Sequence, residues 1–123
     1  MRRTLLYIGE DPNIAQVLTQ VVTQDLRCDL VWAFDMAEGV VAAQDHDFAW
    51  VLLDAVTDIE PTVALLRHLN GNLCDYPVRK MVIVRKDIHT FDKLTLMNAG
   101  ADDFTAVNHL HQPSFASVLR ACL

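Results

Sequence analysis

A chain of 123 residues, 52% of them hydrophobic and 21% charged, has room for one domain around a single core, and its composition argues against disorder. Its formal net charge of -6 leaves it without the positive field that holds a phosphate backbone by counterion release, which sets direct nucleic-acid binding aside. The apolar stretch after Met1-Arg2-Arg3 is cut short by Gly9-Glu10-Asp11-Pro12, so it reads neither as a signal peptide nor as a membrane span.

In chain order, Thr4-Leu5-Leu6-Tyr7-Ile8-Gly9 is the first strand run, and Glu10 closes it. Asp11-Pro12-Asn13 supplies a cap and a proline at the first helical position, after which Ile14, Val17, Leu18, Val21 and Val22 recur at helical spacing. Cys28 to Ala33 reads as a second strand. Asp35 then caps a short helix whose Ala37, Val40, Val41 and Ala42 are expected to face the sheet. Phe48 to Leu53 is apolar without alternation, as in a strand covered on both faces, and ends at Asp54. A loop to about Glu60 leads into a helix from Pro61 to Leu69, closed by Asn70-Gly71. Val78 to Val84 is the fourth strand, and Thr90 to Asn98 a helix with Phe91, Leu94 and Met97 as its expected inner stripe. A short strand, roughly Asp103 to Val107, precedes a last helix from Pro113 carrying Phe115, Val118, Leu119 and Cys122.

Strict alternation of strand and helix implies a parallel sheet covered by helices on both faces. The favoured architecture is a flavodoxin-like (βα)5 three-layer sandwich with a five-stranded sheet in the order 2-1-3-4-5. Its switch point falls between the first and third strands, so Glu10 and Asp54 are expected to be neighbours in the ligand crevice. Two carboxylates there point to a cation or phosphoryl site.

Other candidate chemistry is weaker. Cys28, Cys74 and Cys122 are odd in number and lack metal-ligand spacing, which reads as reduced thiols in a cytoplasmic protein. His109 and His111 read as surface residues, and His46, His68 and His89 share no spacing, so no Ser-His or Cys-His catalytic arrangement can be argued and the chain is not expected to be an enzyme. Asp102, Asp103 and Asp87 read as solvated acids. No Ser/Thr/Gly-rich phosphate loop follows the first strand, which counts against a flavin site.

Three segments carry a resemblance: Ile8-Gly9-Glu10-Asp11-Pro12-Asn13-Ile14, Val51-Leu52-Leu53-Asp54 and Asn98-Ala99-Gly100-Ala101-Asp102-Asp103-Phe104. From about Thr4 to Leu123 the chain resembles the CheY-like receiver domain of bacterial response regulators. The resemblance makes Asp54 the position that accepts a phosphoryl group from a partner histidine kinase. It also implies two acidic residues after the first strand that hold Mg²⁺ with the acceptor; here they fall on Gly9 and Glu10, so one carboxylate is gone, and Asp11 is expected to act as the cap. The Thr or Ser that bonds the phosphoryl oxygen falls on Arg85. The Lys before a cis proline falls on Val107, with Asn108 in the proline's place. Phe104 matches the switch aromatic and is expected to be a core or edge aromatic of fixed rotamer.

These departures imply a degenerate site. Removing one ligand weakens a magnesium site, because Mg²⁺ demands near-octahedral geometry and gives up water reluctantly. Glu10 and Asp54 would then hold the metal weakly or only vestigially, and no other cofactor is expected. Two carboxylates about 4 Å apart repel by roughly 4 kcal/mol at an effective dielectric near 20. Arg85 is expected to fork onto Asp54 or Glu10 and neutralise the pair. The resulting expectation is one atypical receiver domain spanning residues 1–123, the N-terminal segment of a longer regulator being the alternative. It would signal through protein contacts with a kinase or an output domain, with weak or no phosphorylation and no membrane partner. The resemblance implies homodimer pairing through the fourth helix, fifth strand and fifth helix, a face expected to include Leu96, Asp103, Thr105, Ser117 and Arg120. The alternative is a phosphorylatable receiver in which Asp54 accepts phosphate beside weakened Mg²⁺.

Overall fold

The computed structural model describes residues 3–45, 47–72 and 78–123; His46 and Cys74 lie outside them. Strands β1 (Thr4–Ile8), β2 (Asp29–Ala33), β3 (Trp50–Asp54), β4 (Arg79–Val84) and β5 (Asp103–Ala106) alternate with helices α1 (Pro12–Gln20), α2 (Met36–Asp45), α3 (Glu60–Asn72), α4 (Thr90–Ala99) and α5 (Pro113–Arg120). All pairings are parallel, in the order β2-β1-β3-β4-β5. This is the flavodoxin-like order expected from the alternation.

Side-chain alternation along the central strands divides the core in two. Leu5, Tyr7, Trp50, Leu52, Met81 and Ile83 pack with Ile14 and Leu18 of α1 and with Phe115 and Leu119 of α5. Leu6, Ile8, Val51, Leu53, Val82 and Val84 pack on the other face with Val63 and Leu66 of α3 and with Leu96 and Ala99 of α4. Tyr7 and Leu52 are register partners. Position 9 continues the Tyr7 face of β1, and position 54 the Leu52 face of β3.

Several helices depart from their expected form. The first stops its α-helical hydrogen bonding at Gln20 and continues as one π-helical turn, Val21–Asp25, which still buries Val21 and Val22. The third begins at Glu60, supported by the Asp58 carboxylate accepting the Glu60 N–H, and runs past the expected stop to Asn72. Ala37 and Val41 of α2 are exposed instead of facing the sheet, and Val118 of α5 is exposed.

The largest correction is in α4. Phe91, Leu94 and Met97, the expected inner stripe, are 70%, 51% and 51% exposed, whereas Leu96, expected on a pairing surface, is fully buried. The phase of this helix is set at its ends. His89 caps it through Nδ1, which accepts the Phe91 N–H. The last carbonyl, Ala99 O, accepts from Asn70 Nδ2 of α3 at 2.8 Å. Gly100 adopts φ 124°, where a side chain would be strained, and closes the helix while the Ala101 N–H returns to Leu96 O. Pinned this way, the helix presents Leu96 and Ala99 to the core. Periodicity alone cannot choose between two apolar stripes on one helix.

Candidate functional site

Asp54 ends β3 at the carboxyl edge of the sheet and is held by three groups. Its Oδ2 accepts a hydrogen bond from the Tyr7 hydroxyl at 3.1 Å, and its Oδ1 accepts the Val56 N–H at 2.9 Å. Its backbone oxygen accepts from Thr62 Oγ1, 2.9 Å away at the start of α3. The carboxylate is half-buried and both of its oxygens are engaged.

Tyr7 was not among the sequence-derived candidates. Its ring is fully buried in the α1/α5 core while its hydroxyl reaches the strand end. Burial, followed by the negative charge and hydrogen bond of Asp54, pushes its pKa far above the ordinary tyrosine range. The hydroxyl therefore remains a proton donor at every pH at which the protein would work. The readable signal was a polar aromatic two residues before a glycine, on the same strand face.

Gly9 makes this arrangement possible. A Cβ at position 9 would fall on the Tyr7 hydroxyl, 2.6 Å from Tyr7 Cζ and 2.8 Å from Asp54 Cβ. From the neighbouring strand, Trp32 Nε1 donates to Gly9 O at 2.7 Å, and the Gly9 N–H donates to Ala33 O. Trp32 and Phe34 form a tilted pair, with ring centroids 6.0 Å apart. Asp11 takes its expected role, its Oδ1 accepting the Asn13 N–H at 2.8 Å at the start of α1.

Glu10 and Asp54 are brought to one cavity of about 270 Å³, with Asp35 and Asp58 at its rim and Ile8, Phe34 and Leu53 among its apolar lining. Arg85 does not join them. It follows β4 and is 58% exposed, and its Nε lies 3.9 Å from Asp87 Oδ1. It lines another cavity with Asp58, Glu60 and Asp92, and in place of the expected fork onto Asp54 or Glu10 its guanidinium lies beside the solvated Asp87. The aspartate is satisfied by an uncharged hydroxyl and a backbone N–H instead.

Val107 opens a single 3₁₀ turn, Val107–His109, and packs against the α1/α5 core. Phe104 of β5 is half-buried against the other core, with Lys93 Nζ 5.2 Å from its ring centroid. Asp102, expected to be solvated, ties the start of β5 to β4: its Oδ2 accepts the Lys80 N–H at 2.9 Å and lies 3.8 Å from Lys80 Nζ.

A magnesium ion of the kind the resemblance implies needs several oxygen donors at about 2.0–2.1 Å in octahedral array. The donor set here falls short of that, since of the two acids the resemblance implies after the first strand only Glu10 remains beside Asp54. Both Asp54 oxygens already accept hydrogen bonds, Gly9 offers no side chain, and the room a side chain would take is filled by Tyr7. Among the described residues no three His, Cys, Asp or Glu side chains group closely enough to hold a metal.

Strand order and helix placement define a flavodoxin-like (βα)5 sandwich. No protein-family model matches the sequence, and no curated protein is significantly similar to it. Solved structures do match. CheY4, a chemotaxis protein of Vibrio cholerae, superposes with a TM-score of 0.81 at 14% identity, covering 100% of both chains. A CheY-like response regulator receiver domain protein from Methanospirillum hungatei gives 0.75 at 16% identity, covering 99% of this chain and 97% of that one. A response regulator from Thermotoga maritima gives 0.78 at 14%, covering 98% and 99%. The chain therefore has the fold of CheY-like receiver domains over its whole length, and among the described residues no helix is long and apolar enough to cross a membrane.

Proposed function

We propose that the chain is an atypical receiver module of two-component signal transduction, acting through protein contacts with a histidine kinase or an output domain, with weak or no phosphorylation of Asp54. The observation that carries this reading is the engagement of both Asp54 oxygens by donors of the chain itself. Acyl phosphate formation needs a metal to neutralise and bridge the incoming phosphate, and fixed cationic and hydroxyl donors to settle its charge afterwards. At the matched positions stand Gly9, a solvated Arg85 and the apolar Val107. Incubation with acetyl phosphate and Mg²⁺ is expected to leave the intact mass unchanged, with Asp54→Ala as the control. Rapid labelling lost in that variant would overturn the reading in favour of the phosphorylatable alternative.

The contact surface is proposed on α4, β5 and α5, in a homodimer. Support comes from the exposed row Phe91, Leu94 and Met97 on α4, with Val118 exposed on α5. Contiguous exposed apolar side chains of this kind mark interaction sites more often than free surface. Leu96 contributes from inside by fixing the helix, and Ser117 and Arg120 are exposed on α5. Sedimentation velocity at high concentration is expected to show a dimer that Leu94→Asp converts to monomer. A monomeric wild-type protein would remove the homodimer.

A further inference from the structure

We propose that Tyr7 and Gly9 form a coupled pair in which the Tyr7 hydroxyl occupies the room of an acidic side chain at position 9, so that Asp54 is met by an internal O–H donor and not by a divalent cation. This inference rests on the atypical reading of the same site and names the residues that enforce it.

Two observations carry it. The first is steric: a side chain at position 9 would fall on the Tyr7 hydroxyl, with Tyr7 Cζ at 2.6 Å and Asp54 Cβ at 2.8 Å. Separations under about 3 Å demand movement, and the obstructing ring is fully buried between the strands, α1 and α5, where close packing leaves little room to retreat. The second is chemical: the same hydroxyl donates to Asp54 Oδ2, one of the two side-chain oxygens that Asp54 could offer a cation. The glycine at position 9 and the tyrosine at position 7 are thus sterically coupled. Restoring an acid at position 9 alone places it where the hydroxyl already stands. Trp32 fixes the backbone there by donating to Gly9 O, so position 9 cannot swing clear without losing that bond.

The test is a stability cycle read by urea denaturation, joined to a magnesium titration. Gly9→Ala is expected to lower the unfolding midpoint clearly in the wild-type background, less in Tyr7→Phe and least in Tyr7→Leu. The phenylalanine variant retains the ring, and so keeps the cycle readable should the leucine variant fold poorly. Tyr7→Leu with Gly9→Asp is expected to gain a midpoint increase on addition of millimolar Mg²⁺, with no comparable gain in Gly9→Asp alone. An equal midpoint loss for Gly9→Ala in the wild-type and Tyr7→Phe backgrounds would overturn the proposal, as would Mg²⁺ stabilisation of Gly9→Asp alone equal to that of the double variant. The wild-type acetyl phosphate result judges the atypical reading separately, because the stability cycle contains no phosphoryl transfer.

Discussion

Trp50→Ala is expected to lower stability by about 3–5 kcal/mol, the range for removing a buried tryptophan from a packed core. Trp50 is the first residue of β3, paired to Leu5 of β1 and Arg79 of β4, and only 1% of its surface is exposed. Its ring packs in the core that joins the sheet to α1 and α5. Its indole Nε1 donates to Leu119 O of α5 at 3.1 Å, a bond spanning 69 positions of sequence. Loss of the ring therefore removes contact area and a link between the sheet centre and the last helix. For a domain whose total stability is of order 5–15 kcal/mol, that is a large share. Trp50→Phe retains most of the apolar surface and leaves Leu119 O without its indole donor, so its expected loss is smaller, about 1–3 kcal/mol. Urea denaturation measures both. An alanine variant within about 1 kcal/mol of wild type would show that this end of the core relaxes around the gap, contrary to its packing.

Trp50 also shows which parts of the fold were legible. A run of apolar residues without alternation has one reading in a short alternating chain, a strand covered on both faces, and Trp50-Val51-Leu52-Leu53 was placed correctly for that reason. Strand order followed from the handedness of the crossovers, which leaves few topologies open. Helix phase was less legible, because it depends on end contacts that sequence spacing does not encode. Phe91, Leu94 and Met97 have the spacing of an inner stripe, yet α4 turns Leu96 and Ala99 to the core, its end tied by the bond from Asn70 to Ala99 O and the turn at Gly100.

At the site, Asp54, Glu10 and Asp11 were readable because acids at strand ends stand out against apolar runs. How Asp54 is satisfied is not legible in the pattern. Arg85 is the cation at a matched position, but an exposed guanidinium gains little by leaving water, and it lies beside Asp87. Tyr7 escaped notice because a tyrosine within an apolar strand reads as core, which its ring is. Only the hydroxyl belongs to the site, and its role becomes visible once strand alternation places positions 7, 9 and 54 on one face.

The protonation of that hydroxyl is expected to make the protein lose stability in alkali in a way that Tyr7→Phe abolishes. In the unfolded chain the phenol releases its proton near the ordinary value of 10.0, whereas burial and the Asp54 carboxylate hold the proton on it well above that in the folded state. Above the unfolded pKa the unfolded state thus binds fewer protons than the folded one, so stability is complete below about pH 10 and falls by about 1.4 kcal/mol for each further pH unit. Tyr7→Phe has no such proton to retain. At neutral pH it is expected to be the less stable protein by about 1 kcal/mol, through loss of the bond to Asp54. The order should then reverse about one pH unit above the phenol's ordinary value, since the slope belongs to the wild type alone. Burial is the leading cause, so Asp54→Asn narrows the pH window and leaves the slope in place. Urea midpoints of the three proteins between neutral pH and about pH 12 measure the effect, with the other titrating groups cancelling in the differences. Parallel curves for wild type and Tyr7→Phe would mean that the folded protein releases this proton as readily as the unfolded chain. A phenolate facing the Asp54 carboxylate would then need a cation, and Asp54 Oδ2 would no longer have a donor from within the chain.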